Sequence, residues 1–328
     1  MPGYISKLLK AGISASLLVY LVAVVDTSEM VRHIASAHHW LIATVFVGYL
    51  LSQVLSAYKW RVLARPLGFS QPQRVFTVCY FAGMYLNLFA PSTVAGDLGR
   101  GLLLARRRGR RALAINSVLA DRASGLGTLL LIGAVALLLH RSYPIPPVIY
   151  YAPLVGALGI ALGWRLIPRA ACLVLRPDNR LRVMIERDLA EYWKNHALIL
   201  KVVGLSAVFH CFQIGLQYIL AASLRISIPA GYLFLFFPIV TVLSTLPVSF
   251  SGVGLREVGY VFFLGFVGVT EEQALAMGVL WTAVILASGL VGGLALLLSQ
   301  DLVLAPAEKE GQEELEQEAA FSRPTALR

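Results

Sequence analysis

The chain has 328 residues, 58% of them hydrophobic and only 14% charged, with a mean hydropathy of +0.73. About a quarter of a soluble domain is charged, so this composition excludes a soluble enzyme and describes an integral membrane protein. The net charge is +10, yet residues 305–328 hold six Glu against Lys309, Arg323 and Arg328, which leaves +13 on residues 1–304. Basic residues in short loops beside apolar segments set membrane orientation and meet anionic head groups, so this excess does not imply nucleic acid.

In chain order, Lys7 and Lys10 followed by the apolar run 11–25 look like the opening of a secretory signal, with Ala35-Ser36-Ala37 as a cleavage-like site. Asp26, Glu29 and Arg32 intervene, so the run is expected to remain as an uncleaved first span. Further apolar segments fall at 40–57, 75–89, 112–139, 148–167, 197–222, 230–246, 253–268 and 273–299. About 20 apolar residues at ~1.5 Å per residue match a hydrocarbon core ~30 Å thick.

Segment 75–89 is short and runs into Asn87-Leu88-Phe89-Ala90-Pro91 and then Gly96, Asp97 and Gly99, which together are expected to break a helix. Segments 230–246 and 253–268 are interrupted by Pro247-Val248-Ser249-Phe250-Ser251-Gly252-Val253-Gly254. Irregular backbone at depth is tolerated only where it is buried in protein or lines a cavity, so both regions read as re-entrant or broken-helix hairpins. Linker 168–197 carries Leu181, Met184, Ile185, Leu189 and Trp193 at helical spacing among Arg180, Arg182 and Arg187, the pattern of an interfacial helix. The acidic tail 305–328 reads as a disordered cytoplasmic end. Cys79, Cys172 and Cys211 are far apart and suggest neither a disulfide framework nor a metal site.

Positive charge alternates between connections. Lys59, Arg61, Arg65 and Arg74 form one cluster, Arg100 to Arg111 a second, and eight Lys or Arg between Arg165 and Lys201 a third, while the intervening connections hold mainly Arg32, Arg141 and Arg225. By the positive-inside rule the rich connections and both termini are cytoplasmic and the protein sits in the cell membrane. The two hairpins then enter from opposite faces.

Around both breaks the chain reads Pro, four residues, Gly, three residues, Arg: Pro91 to Arg100 and Pro247 to Arg256, 156 residues apart. Two spans precede each break and one long span follows it. The expected fold is an all-α polytopic membrane domain over 1–304, built from two inverted-topology repeats, about 5–140 and 148–300, with about six full spans and two hairpins.

Helix N-termini exposed at such breaks attract phosphate or carboxylate. An Arg four residues beyond the glycine, about one turn into the new half-helix, adds a planar fork of donors. Gly96, Gly252 and Gly254 are therefore candidate backbone contacts, with Arg100 and Arg256 as phosphate contacts. Arg256 stands out because positive-inside placement does not explain it and an intramembrane charge costs ~2.5–3.5 kcal/mol on insertion scales. Asp97 and Glu257 would hold an arginine or carry a proton, and Glu257 or another acid is the expected ion-pair partner if Arg256 is purely structural. Asp121 and Arg122 lie near mid-bilayer and, being adjacent on a helix, need separate partners. Ser206, His210, Gln213 and Gln217 form one stripe suited to interhelical hydrogen bonds or a head-group contact, with Gln53 as a counterpart of Gln213. Ser288, Gly289, Gly292 and Gly293 read as a close-packing face. No metal ligands or cofactor motif emerge: Gly252-Val253-Gly254 lacks the third glycine of a dinucleotide loop.

The run from Asn87 to Arg100, the stretch Leu119-Ala120-Asp121-Arg122-Ala123-Ser124-Gly125-Leu126, and Leu246-Pro247 through Gly252-Val253-Gly254-Leu255-Arg256-Glu257 resemble the lysylphosphatidylglycerol synthase transmembrane-region family, also called flippase-like, over most of residues 5–300. The last motif is the most specific; the first departs from the pattern at Ala95, where a second glycine is common. The resemblance implies movement of a phosphate-bearing lipid between leaflets, as in the membrane part of the multiple peptide resistance factor. It also implies a stand-alone member without the synthase domain, acting beside enzymes of lipid or glycan synthesis. The expected substrate is a phospholipid, an aminoacyl-phospholipid or a polyprenyl phosphate, and the expected protein is not an enzyme. Two alternatives remain open here: a lipid phosphatase-like enzyme using Ser249, Ser251 and Glu257, and a non-transporting scaffold.

Overall fold

The structure, a computed structural model, describes residues 2–89, 93–106, 110–139, 147–174, 194–246, 249 and 251–299, together with positions 176, 179, 182 and 192. Pro91, Pro247, most of the amphipathic linker and the acidic tail lie outside the described residues. Within them the chain is all-helical. The helices are α1 (Pro2–Val24), α2 (Thr27–Ala35), α3 (His39–Ala64), α4 (Gln73–Phe89), α5 (Thr93–Ala105), α6 (Arg111–Leu139), α7 (Pro147–Val174), α8 (His196–Ser223), α9 (Ala230–Thr245), α10 (Leu255–Gly265) and α11 (Glu271–Leu298).

Among the described residues, four helices are long and apolar enough to cross a membrane singly: α3 extended to Leu67 by a 3-10 turn, α6, α8 and α11. A fifth span is possible by composition where α1 and α2 meet at an 89° bend. There Asp26 caps α2, accepting the Ser28 and Glu29 amides and the Ser28 hydroxyl.

From α3 the elements run long, short, short, long, and the order recurs after the 28-residue α7: 26, 17, 13 and 29 residues in α3–α6, then 28, 16, 11 and 28 in α8–α11. The two sets interlock. α3 lies along α8, α4 along α11, and α9 along α6, so the first short helix of each set rests on the last long helix of the other.

Side chains are distributed inside out relative to a soluble bundle. Along α3, Val47, Leu51, Val54 and Tyr58 face outward at helical spacing, while Ser52, Gln53, Ser56 and Lys59 are buried. On α8, Val208, Phe212 and Tyr218 face outward and Ser206, His210, Gln213 and Gln217 inward. Lipid solvates the apolar stripe as well as a core would, so polar groups turn to one another instead.

The structure changes two boundaries. α3 continues to Ala64, past the expected end at 57, so Lys59 and Arg61 belong to the helix and Lys59 is buried rather than in a cytoplasmic loop. Gly96, Asp97 and Gly99 do not break a helix; they lie inside α5, which starts at Thr93.

The small-residue face of α11 is a packing seam. A Cβ at Gly292 would lie 2.1 Å from the Phe81 carbonyl oxygen of α4, and one at Gly293 2.6 Å from the Tyr85 ring. Backbone contact of this kind tolerates no methyl group without helix displacement. Gly292→Ala is expected to destabilise the fold by about 1–3 kcal/mol, whereas Gly204→Ala, where nothing lies within 4 Å, should not lower stability. Thermal unfolding of both variants in detergent checks this; equal melting temperatures would contradict the seam.

Candidate functional site

At the first break, α4 and α5 fold back on each other as closely as their backbones allow. A Cβ at Gly96 would meet the Gly83 carbonyl oxygen at 2.2 Å, and the Gly96 amide donates to Asn87 Oδ1 at 2.9 Å. Gly96 thus serves close approach, and Arg100 sits two turns into α5 rather than one. At the second break the glycines do a different job. Gly252 and Gly254 have φ of +80° and +85°, which glycine adopts without a Cβ penalty, and Ser251 is left-handed at +51°. The Ser251 hydroxyl donates to the Asn87 backbone oxygen at 3.0 Å, joining the two breaks. Glu257 reaches back to accept the Gly254 amide at 2.6 Å, so the N-terminus of α10 is capped by the chain's own carboxylate.

Five charged side chains from three helices form one connected chain. Lys59 Nζ on α3 lies 3.0 Å from Asp121 Oδ1 on α6. Arg100 Nη2 on α5 donates to Asp121 Oδ2 at 2.8 Å, and Arg100 Nε reaches Asp97 Oδ1 at 3.2 Å. Arg122 closes the chain with a two-pronged contact to Asp97, at 2.6 and 2.9 Å. The Arg100 guanidinium also lies 4.5 Å from the Tyr80 ring centroid and 4.8 Å from that of Trp60, a doubled cation–π contact. Lys59, Arg100 and Asp121 are almost fully buried, whereas the Arg122 side chain is 46% exposed. Asp121 and Arg122 do take separate partners, as adjacent helical residues must.

In the second set the pattern is sparser. Arg256 Nη1 donates to Thr282 Oγ1 at 2.8 Å, and the Thr282 hydroxyl donates onward to Glu257. Thr282 therefore stands between the arginine and the carboxylate expected to pair with it, and Arg256 forms no direct ion pair among the described residues. Nearby, Tyr260 donates to Gln217 at 2.7 Å, Gln213 donates to Ser52 at 3.0 Å, and His210 contacts the Gly125 carbonyl at 3.0 Å. His210, Gln213 and Gln217 of the α8 stripe thus make interhelical hydrogen bonds, whereas the buried Ser206 hydroxyl has no hydrogen-bond partner among the described residues. Gln53 donates to the same Ser52 hydroxyl at 3.3 Å, so the two glutamines meet.

These groups surround a cavity of about 590 Å³, within the range of small-ligand sites. Arg100, Arg122, Arg256, Asp97, Asp121, Ser251, His210 and Gln213 all line it. Glu257, Gly96, Gly252, Gly254 and Ser249 do not. Glu257 stands behind Thr282, the glycines shape the backbone, and Ser249 is 1% exposed with a hydroxyl that has no hydrogen-bond partner among the described residues. Leu119, Leu126, Leu129, Phe237, Trp281 and Leu286 supply an apolar wall, and Leu119, Leu126 and Leu286 are exposed.

Sequence reasoning missed Lys59, Thr282, Asn87, Tyr80 and Trp60. Lys59 was legible as the continuation of Ser52 and Ser56 along one helical face. Thr282 carried no signal, because a threonine in an apolar helix ordinarily bonds its own backbone.

Residues 7–293 match the family described as lysylphosphatidylglycerol synthase TM region. The chain belongs to this family. Among curated proteins, the family member is similar to the glycosyltransferase AglD of Haloferax volcanii, 26% identical over 334 aligned positions that cover 88% of this chain and 53% of the relative. This chain thus spans about half the length of that protein.

Removing one partner from a buried ion network leaves the others unpaired. Asp121→Ala, which strands Lys59 and leaves Arg100 only its longer contact to Asp97, is expected to destabilise the protein by about 3–5 kcal/mol. Arg256→Gln, which leaves no carboxylate without a partner, should cost much less. Paired thermal melts in one detergent test this ordering, and a reversed order would refute it.

Proposed function

We propose that this protein binds the phosphate group of a membrane lipid between its two broken helices and carries the lipid from one leaflet to the other, with no covalent step. The observation behind this reading is the position of Arg256: it lines a cavity shared by both breaks, at depth, with donors left over after Thr282. An arginine held at such a depth without a carboxylate invites an oxyanion. The apolar wall, with its exposed leucines, suits acyl or prenyl chains.

Alternating exposure of that site would follow from two inverted repeats. In their favour are the recurring helix lengths, the exchanged packing of α4 on α11 and α9 on α6, and the alternation of positive charge along the chain. This arrangement has about six full spans, cytoplasmic termini and a place in the cell membrane. The likeness to the glycosyltransferase AglD favours work alongside enzymes of lipid-linked glycan synthesis. A phosphatase is less well supported, because Ser249 lies off the cavity and the Ser251 hydroxyl is engaged by Asn87.

The test is transfer of fluorescent anionic lipid across reconstituted vesicles, read by quenching of outer-leaflet label. Wild-type protein should accelerate transfer, and Arg256→Ala should slow it about tenfold or more, the effect of losing one charge-assisted hydrogen bond. Equal transfer by both forms, or phosphate release from a polyprenyl diphosphate, would overturn the proposal.

A further inference from the structure

The charges around the cavity restrict which lipid phosphate fits. We infer that the head group carries a single negative charge and no ammonium group: a phosphodiester, not an aminoacylated or zwitterionic phospholipid and not a phosphomonoester. This rests on the lipid-phosphate reading above and narrows it.

Among the described residues, Lys59, Arg100, Arg122 and Arg256 line the cavity against Asp97 and Asp121, with Glu257 behind Thr282. Four cations against three carboxylates leave an excess of one positive charge. Charge held within a membrane is costly unless compensated, so a ligand bringing one negative charge leaves the site neutral. A phosphomonoester brings about −1.5 to −2 at pH 7 and overshoots.

An ammonium group meets a second obstacle, because no carboxylate oxygen is open to it. Asp97 Oδ1 takes Arg100 and Arg122, and Asp97 Oδ2 takes Arg122. Asp121 Oδ1 faces Lys59 and Oδ2 takes Arg100. Glu257 Oε2 takes the Gly254 amide and Oε1 the Thr282 hydroxyl. A cationic head group would have to displace an arginine or lysine from one of these positions while sitting among four like charges.

Three polar atoms of cavity-lining residues have no hydrogen-bond partner among the described residues, all on residues at least 97% buried, and one of them, Asp121 Oδ1, faces Lys59 as an ion pair. The other two are Arg100 Nη1, a charged donor, and Gln213 Oε1, a neutral acceptor. A phosphate oxygen suits the first and a hydroxyl of the esterifying alcohol suits the second. A diester with a hydroxylated head group, whether glycerol on a diacyl lipid or a sugar on a polyprenyl phosphate, offers both.

The test is titration of the purified full chain in detergent, followed by native mass spectrometry, with phosphatidylglycerol, its lysyl ester, phosphatidylethanolamine, phosphatidic acid, polyprenyl phosphoglucose and polyprenyl monophosphate. At least one of the two hydroxylated diesters should bind about tenfold or more tightly than every amine-bearing or monoester lipid. Which diester binds separates the glycerol source from the polyprenyl source. Arg122→Gln, which removes the excess charge and frees Asp97 Oδ2, should collapse the preference over the lysyl ester to within about threefold. If the lysyl ester binds the wild type as tightly as phosphatidylglycerol and both weaken in Arg256→Gln, the charge inference fails while the lipid-phosphate reading stands. If no lipid weakens in Arg256→Gln, both fail.

Discussion

Asp121 is the residue on which the arrangement of the first four-helix set depends. Its carboxylate receives Lys59 from α3 and Arg100 from α5 in a site with almost no solvent. Lys59 has no other carboxylate partner among the described residues and Arg100 has only Asp97 besides, and neither cation could be solvated by lipid. Arg100 passes the constraint on to Asp97, and Asp97 to Arg122, so the mutual placement of α3, α5 and α6 is a requirement of electroneutrality as much as of packing. The aromatic faces of Tyr80 and Trp60 close the remaining sides of the Arg100 guanidinium.

The second set reaches a similar layout with little charge. Met277, which lies at the same 156-residue offset from Asp121, is fully buried and apolar. Glu257 ties the start of α10 to itself and touches Arg256 only through a hydroxyl. One half therefore locks its cations and the other leaves one cation partly spare. The cavity between them is electrically lopsided although the helices around it are arranged alike.

Much of this could be read from residue order. Apolar run lengths located the long helices, and the matched Pro-Gly-Arg spacing located both breaks, because chain geometry and hydrocarbon thickness leave few options. The polar stripe of α8 was legible because its spacing is helical and its surroundings are apolar. What escaped was the use made of identical residue types. Gly96 and Gly252 occupy equivalent positions in the motif, yet one admits a neighbouring backbone inside a helix and the other turns the chain through positive φ. Composition does not distinguish those roles, since both need only the absence of a Cβ. Lys59 escaped because counting positive charge by connection treats every basic residue near a helix end as topological. Thr282 escaped because its partners, Arg256 and Glu257, lie on another helix, and Asn87 because its link to Ser251 spans 164 residues.

The ion chain also bears on how the protein is made. Asp121 and Arg122 arrive on α6, and all their partners, Lys59, Asp97 and Arg100, lie upstream on α3 and α5. Chains emerge N-terminal first at about 5–20 residues per second. When α6 leaves the ribosome, everything needed to neutralise its two charges is already in place, and nothing from the second set is required. The most polar part of this membrane protein can thus close during synthesis, before the helices that complete the cavity exist.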